Sequence, residues 1–343
     1  MAAPREIPMR PAEGPHDREL EEILTSFNSC YVWQYGNVKD GLRELYEKAK
    51  REQWNSVDTL DWSISVEPES DILPRGVDPL AEYGPAKKLN ERERLHLRHG
   101  QISLQLSQFL HGEQGALIVA SQLVGAVPWM DAKYYAGTQT MDEARHVEVF
   151  SKYVREKLEW EWPINPNLKE LLDACITESR WDFKYLGMQI LIEGLAMAAF
   201  GQIFQITLEP LLKELLRYVM RDESRHVAFG MLSLRDYYRD MPANELKDRE
   251  DFIIYASELM ARRLMGTEIA DAMGWNPKEV RDVVMGSPVF QVFQQLLFSR
   301  VVPNLKRLGL LTPRVRAAFE DLKVIQFENF DTDAADRALG LAS

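Results

Sequence analysis

Two glutamate-histidine pairs at helical spacing, Glu143-x-x-His146 and Glu223-x-x-His226, stand 80 residues apart inside one repeated phrase. The phrase reads Met141-Asp142-Glu143-Ala144-Arg145-His146-Val147 in the first copy and Arg221-Asp222-Glu223-Ser224-Arg225-His226-Val227 in the second, with D-E-x-R-H-V in common. Thirty residues before each of these glutamates comes another, Glu113 and Glu193, in apolar stretches that include Leu110, Leu117, Ile190 and Leu195. Residues three apart on a helix project from one face, so each copy can offer a carboxylate and an imidazole to one ion.

The chemistry follows from charge. A lone carboxylate among apolar side chains is costly or is forced to protonate, and four of them repel one another. Two divalent ions, with a total charge of +4, balance four glutamates and two neutral imidazoles. Oxygen-rich ligation with one imidazole per metal suits iron or manganese, whereas structural zinc prefers thiolate and more imidazole. The expected cofactor is a pair of iron ions, with manganese or a mixed Mn/Fe pair as the alternative. The metal ligands expected are Glu113, Glu143, His146, Glu193, Glu223 and His226. One isolated Glu-x-x-His is commonly a solvated polar pair, but two copies with two equally spaced partner glutamates are not explained that way.

Asp142 and Asp222 precede the ligand glutamates, and Arg145 and Arg225 follow three residues after each aspartate. Each pair can bridge on the helix flank, and an aspartate can fix an imidazole tautomer by accepting its free N–H. Gln139 and Gln189, each four residues before a ligand glutamate, border the site. Phe109, Ala116, Ala120, Phe150, Ala196, Met197 and Phe200 face the bundle interior near the metals. They either leave room for an apolar substrate or are plain core packing at helical spacing. His16, His96, His99 and His111 lack the arrangement and are read as non-ligands.

The elements that must hold these residues are helices. A long helix is expected from about 91 to 124 and a second from about 129 to 159, with Gly125 and Pro128 at the turn. Glu113 lies 14 residues before Val127 and Glu143 lies 16 after it, so at about 1.5 Å per residue the two reach nearly equal heights in an antiparallel hairpin. A second hairpin, about 179–207 and 210–238, repeats the arrangement around Glu193, Glu223 and His226, and the two hairpins make a four-helix bundle. Around it the reading is a disordered tail at 1–16, N-terminal helices at 17–27 and 38–54, and a Pro-rich covering arm at 55–90 carrying Trp62 and Tyr83, with Trp54 at its edge as a further covering aromatic. The bundle spans 91–240. Residues 241–343 are further helices (about 249–272, 288–308 and 313–322) packing on it, with a loose tail from Phe327, and the whole is one globular unit.

The 343 residues carry a net charge of -12, which argues against nucleic acid as a partner. Cys30 and Cys175 stand far apart and read as buried free thiols. The first twenty residues hold no apolar leader segment, and the longest apolar run, 115–127, is too short and interrupted for a membrane span, so the expected compartment is the cytoplasm.

On these residues the chain resembles the ferritin-like di-iron carboxylate superfamily over roughly 91–238. The repeated D-E-x-R-H form is most similar to the hydroxylase subunits of bacterial multicomponent monooxygenases. It is more distantly similar to the ribonucleotide reductase small subunit and the aryl-amine N-oxygenases. The resemblance implies an all-α, ferritin-like four-helix bundle with added N- and C-terminal helices, catalytic carboxylates at Glu113, Glu143, Glu193 and Glu223, and bridging roles for Glu143 and Glu223. It also implies that Asp142 supports His226 and Asp222 supports His146. Three positions depart from those branches. Phe150 stands where most reductase small subunits have a radical tyrosine, Met197 where the multicomponent monooxygenases have a threonine, and Val219 where the N-oxygenases have an extra histidine.

The function expected is an oxygen-activating non-haem di-iron oxidoreductase, a monooxygenase, N-oxygenase or desaturase-like oxidase, with O2 as co-substrate and a small or medium organic molecule as substrate. No flavin, nicotinamide or iron-sulfur motif is visible in the sequence, so electrons are expected from a separate reductase or ferredoxin, and a homodimer is expected. The alternatives are an iron-handling ferroxidase without an organic substrate and a non-enzymatic metal centre.

Overall fold

A computed structural model describes residues 20–239, 241–264 and 267–341. The tail expected at 1–16 lies outside the described residues. No strand occurs among the described residues, and the architecture is all helical.

The bundle begins with α2, Glu91–Ala126, preceded by α1, Asp40–Arg51. Asn90 caps α2 by accepting from the Glu93 N–H at 3.0 Å, while the Glu93 carboxylate accepts from the Asn90 N–H at 2.8 Å. This reciprocal box satisfies two donors that the first turn would otherwise orphan. Val127 leaves the helix in an extended conformation, and α3 follows over Met130–Lys152, closing with a π-turn at Tyr153–Lys157.

The second hairpin is introduced by α4, Pro166–Thr177, and is made of α5, Trp181–Ile206, and α6, Pro210–Arg239. Glu209 starts α6 by accepting from the N–H groups of Leu211 and Leu212 at 2.8 and 2.6 Å and from the Tyr153 hydroxyl at 2.7 Å. That last bond ties the end of the first hairpin to the turn of the second. α2 packs along α3 and α5 along α6, so the four-helix bundle has the pairing that the spacing predicts.

α5 is long and apolar enough to cross a membrane by length and composition, but 89% of its apolar window is buried inside the protein. It is the central helix of the core. Its middle, Leu186–Ile192, is a π-helix that runs directly into Glu193. π-turns of this kind widen a helix at functional sites. Gly230, one turn after His226, lets α6 approach this segment, since a Cβ there would lie 2.8 Å from the Gln189 Cβ and 3.0 Å from the Ile190 Cδ1.

α1 lies across α3 and α6. Its start is anchored by the buried Asp131 carboxylate at the head of α3, which accepts from the N–H groups of Val38 and Lys39 and from Arg43 at 2.8–3.0 Å. The helix expected at 17–27 is not present over the described part, where residues 20–38 have no regular secondary structure and the Cys30 N–H donates to the Gly125 carbonyl at 2.8 Å. An eleven-residue helix is marginal without a packed face, and Leu20 and Leu24 here are 73% and 94% exposed. Cys30 is only half-buried, while Cys175 is buried, and both are free thiols.

The covering arm is irregular as expected, with single helical turns at Ser56–Thr59 and Gly84–Lys87. The Ile72 carbonyl accepts from the Leu208 N–H at 2.8 Å, pinning the arm to the α5–α6 turn. The C-terminal part is more divided than its hydrophobic spacing suggests: α7 Ala243–Arg262, α8 Thr267–Met273, α9 Pro277–Gly286, α10 Pro288–Leu297, α11 Val301–Arg307, α12 Pro313–Asp321 and α13 Thr332–Ala338. α13 replaces the loose tail expected after Phe327. Asp331 caps it, and Thr332 and Leu341 are buried against the rest.

Candidate metal centre

All six expected ligands meet at mid-bundle, and all are buried. Nδ1 of His146 lies 3.3 Å from Glu113, 3.4 Å from Glu143 and 3.0 Å from Glu223. Nδ1 of His226 lies 3.1 Å from Glu143 and 3.4 Å from Glu223. The two donor groups are therefore Glu113, Glu143, His146 and Glu223 on one side and Glu143, Glu193 and His226 on the other, each with donor atoms within 4.8 Å of one another. Glu143 and Glu223 each turn one oxygen toward either imidazole, which is the placement a bridging carboxylate needs.

The other ring nitrogens face outward to the aspartates, and the pairing crosses the bundle. His146 Nε2 lies 3.2 Å from Asp222 and His226 Nε2 lies 3.3 Å from Asp142. A carboxylate only accepts, so each Nε2 carries a proton toward its aspartate, and Nδ1, which faces the glutamates, is the nitrogen that a metal would take on displacing the second proton. Arg145 donates to both aspartates, at 2.5 Å to Asp142 and 2.8 Å to Asp222, and Arg225 likewise donates to Asp222 and, at 3.4 Å, to Asp142. Two buried guanidinium groups thus neutralise the two aspartates and leave the four glutamates uncompensated.

The titration of the inner groups reflects that surplus. Burial, and then the charge of Glu223, hold the Glu113 carboxyl well above its ordinary range, and the same two causes raise Glu193. Burial opposes ionisation of Glu143, but the imidazoles of His226 and His146 outweigh it and hold this carboxyl low. Both imidazoles are pushed well up against their own burial, His146 by hydrogen bonds to Asp222 and the glutamates and His226 chiefly by the charge of Glu143.

Oε2 of Glu143, Glu193 and Glu223 and Nδ1 of His226 are buried without a hydrogen-bond partner. Orphaned acceptors converging on one point in a dry interior are what divalent cations satisfy, and the cluster fits a di-metal site of iron, manganese or a mixed pair. Gln139 spans the second donor group, its amide donating to Glu143 at 3.0 Å and to Glu193 at 2.8 Å. Gln189 stands behind it, donating to the Gln139 carbonyl at 3.5 Å.

Three residues at the C-terminal end of α1 complete the aspartate-arginine network and were not expected there. Glu52 accepts from Arg225 at 2.8 Å, Gln53 donates to Asp142 at 2.9 Å and accepts from Arg145 at 2.9 Å, and the Trp54 indole donates to Asp222 at 2.7 Å. Trp54 is thus a hydrogen-bonding partner of the centre, beyond the covering role expected of it. No local pattern marks these residues, because their partners lie 89 to 173 residues away.

A cavity of about 1110 Å³ opens beside the bundle between α2, α5 and the C-terminal helices α7 to α10. Of the nine residues expected around a substrate, it takes in Phe109 and Met197, each one turn from a ligand glutamate. Gln139 and Gln189 lie at the metal donors. Ala116, Ala120, Phe150 and Phe200 are buried, Ala196 packs against the core, and none of these lines the cavity. The physical reason is that the bundle interior is filled to contact there: Phe109 meets Phe200 edge-on at 4.7 Å between ring centroids, and Phe150 stacks on Phe200 at 5.7 Å. The free volume lies on the outer side of Phe109, against helices the bundle argument did not include. His111 donates to the Trp162 carbonyl and His99 to that of Ser70, consistent with their reading as non-ligands.

No family model matches the sequence, and comparison with curated proteins found no match. Among solved structures the chain is similar to a variant of R2-like ligand-binding oxidase with an anaerobically reconstituted Mn/Fe cofactor, at 17% identity over 78% of this chain and 92% of that one, with a TM-score of 0.46. It is also similar to R2-like ligand-binding oxidase with an aerobically reconstituted metal cofactor after photoconversion, at 16% identity over 88% of this chain and 93% of that one, with a TM-score of 0.41. The helix order and the doubled carboxylate-histidine centre of this chain define its architecture as ferritin-like, and the reading of the site rests on those features.

Proposed function

We propose that this protein is an O2-dependent di-iron oxidoreductase that acts on a small or medium organic molecule, with electrons supplied by a separate reductase or ferredoxin. The observation that carries the reading is the adjacency of two donor groups that share Glu143, with Glu223 turned toward both imidazoles, to a large apolar cavity that begins one helical turn away, at Phe109 and Met197. A purely structural or iron-storing centre has no need of that cavity. Two ferrous ions held by Glu113, Glu143, His146, Glu193, Glu223 and His226 supply the electrons and Lewis acidity that O2 reduction requires.

The chain's own groups provide the rest. Glu143 and Glu223 hold the two donor groups together across the bundle. Asp222 and Asp142 keep the protons on the outer nitrogens of His146 and His226, which fixes each ring for ligation. The Gln139 amide orients Glu193 toward Glu143. Phe109, Phe150 and Phe200 seal the side facing the cavity, so water is excluded while an apolar molecule can rest against Phe109.

The test is metal analysis followed by O2 uptake of the ferrous protein with a chemical reductant. Two ions per chain and O2 consumption that is lost in Glu143→Ala are expected. No O2 consumption with any reductant would overturn the proposal, and iron loading far beyond two ions per chain would replace it with iron handling.

A further inference from the structure

At the end of the bundle where α3 and α5 begin and α6 ends, a run of aromatic rings leads from solvent to the metal centre. Tyr135, buried on α3, meets Phe229 of α6 at 4.4 Å between ring centroids, and Phe229 meets Tyr185 of α5 edge-on at 4.8 Å. Tyr185 meets Trp181, the first residue of α5, at 5.9 Å. Trp181 in turn meets Tyr237 of α6 at 4.7 Å and Trp129, just before α3, at 5.2 Å. Tyr237 is 38% exposed, so the outer end of the run is open to solutes.

The inner end lies at the second donor group. Tyr135 and Tyr185 stand eight residues before Glu143 and Glu193, in a repeated Tyr-x-x-x-Gln-x-x-x-Glu spacing, and Phe229 follows His226 by three. Burial raises the Tyr135 phenol above its ordinary range, and the charged groups that act on it are His226, Arg225, Asp142 and Glu193. Phe150, four residues after His146, offers no oxidisable group on the other side of the centre.

Stacked and edge-on rings are ordinary core packing, but the hydroxyls of two of these rings are not explained by packing. Those of Tyr135 and Tyr185 are buried without a hydrogen-bond partner, and Ser233 faces Tyr185 without closing a bond in this conformation. A buried hydroxyl left unpaired costs free energy that phenylalanine, with the same ring, avoids. What the hydroxyl adds is redox chemistry, because a phenol or an indole gives up one electron far more readily than a phenyl ring.

We propose that Tyr135, Tyr185, Trp181 and Tyr237 form an electron path that discharges the centre when O2 has been reduced there and no organic substrate is bound. The path rests on the proposed function, which supplies O2 as the oxidant. Tyr135 gives one electron to the centre and its phenolic proton to the Glu193 carboxylate. An electron from Tyr185 crosses Phe229 and restores Tyr135, which recovers its proton. Trp181 restores Tyr185, whose proton moves to the Ser233 oxygen and back, and Tyr237, exchanging its proton with solvent, restores Trp181. A soluble one-electron reductant such as ascorbate then restores Tyr237 and releases its own proton to solvent. Each passage moves one electron inward, and no bond to carbon forms or breaks.

The experiment exposes the ferrous, metal-loaded full chain to O2 without organic substrate, follows O2 uptake, and freezes samples for electron paramagnetic resonance. In parallel a nitroso spin trap marks surface radicals, which peptide mass spectrometry locates. The unaltered chain is expected to give a phenoxyl signal and adducts on Tyr237 or Trp181, both suppressed by ascorbate. Tyr135→Phe should lose the signal and the adducts. Tyr185→Phe should lose the adducts but keep a phenoxyl signal that ascorbate no longer quenches. Each variant removes only an unpaired hydroxyl, and metal content and thermal unfolding check that site and fold are intact. If Tyr135→Phe loses its metal, Tyr185→Phe carries the test. Adducts that persist in either variant, or O2 uptake with neither signal nor adduct, would overturn the path and leave the proposed function standing. Absence of O2 uptake would refute the proposed function and the path together.

Discussion

Asp222, like Asp142, has four hydrogen-bond partners at the centre, and its replacement by asparagine tests the crossed geometry directly. It accepts from Trp54 at 2.7 Å, from Arg145 at 2.8 Å, from His146 Nε2 at 3.2 Å and from Arg225. The asparagine side chain would keep the shape but lose the charge, and its amide would present a donor to groups that are themselves donors. Removing one partner of a buried ion pair costs about 3–5 kcal/mol. Arg145 and Arg225 both retain Asp142, so the lower end, about 3 kcal/mol in chemical denaturation, is expected for Asp222→Asn. Loss of an outer partner of a ligating histidine typically lowers metal affinity about 10–100-fold. The structure assigns that loss to the ion on His146, although Asp222 lies next to Glu223 and His226 in the chain. Metal titrations of a double-mutant cycle separate the two cases: Asp222→Asn should add little to His146→Ala and its full effect to His226→Ala. The reverse coupling, or wild-type metal affinity in Asp222→Asn, would refute the crossed arrangement.

Two further outcomes follow from buried charge. Burial lowers Lys184 from its ordinary 10.5 to about 8, despite hydrogen bonds to Gln122 and to the carbonyls of Cys175 and Ile176 at 2.5–3.1 Å. Because the folded state binds this proton less well than the unfolded chain, the penalty is complete below about pH 8 and disappears as pH rises to about 10.5. It amounts to about 3 kcal/mol. Lys184→Met should remove that rise from the pH dependence of denaturant stability, and an unchanged slope would contradict it. Metal loading should release protons, because Glu113, Glu193, His146 and His226 all hold theirs above their ordinary range without metal. About two to four protons per ion pair at pH 7 are expected from calorimetry in buffers of different ionisation enthalpy, with tighter loading as pH rises. Loading without proton release would mean that the glutamates are already ionised and compensated by other means.

Much of the centre was legible before any coordinates because its spacing is local. Glu143 and His146 share a face by helical period alone, and Glu113 meets them because it is almost as far from the turn at Val127 as Glu143 is. Over 20–27 the expected helix does not form because periodic apolar spacing states what a helix could bury, and among the described residues no surface covers Leu20 and Leu24. The cavity was misplaced for a related reason. Small residues such as Ala116 and Ala120 mark close approach of helices as readily as space, and here Phe109, Phe150 and Phe200 occupy the interior.

By itself the amino-acid sequence determined the helical class, the two hairpins and the donor residues Glu113, Glu143, His146, Glu193, Glu223 and His226, since these depend on period and on covalent distance from two turns. The tertiary structure decided that Asp222 reaches His146 and Asp142 reaches His226, a crossing that family resemblance implied and spacing alone left open. It alone decided that Glu52, Gln53 and Trp54 close the network, and that the free volume lies outside the bundle. Those outcomes depend on how helices rotate and slide against partners up to 173 residues away, and no local period encodes that offset.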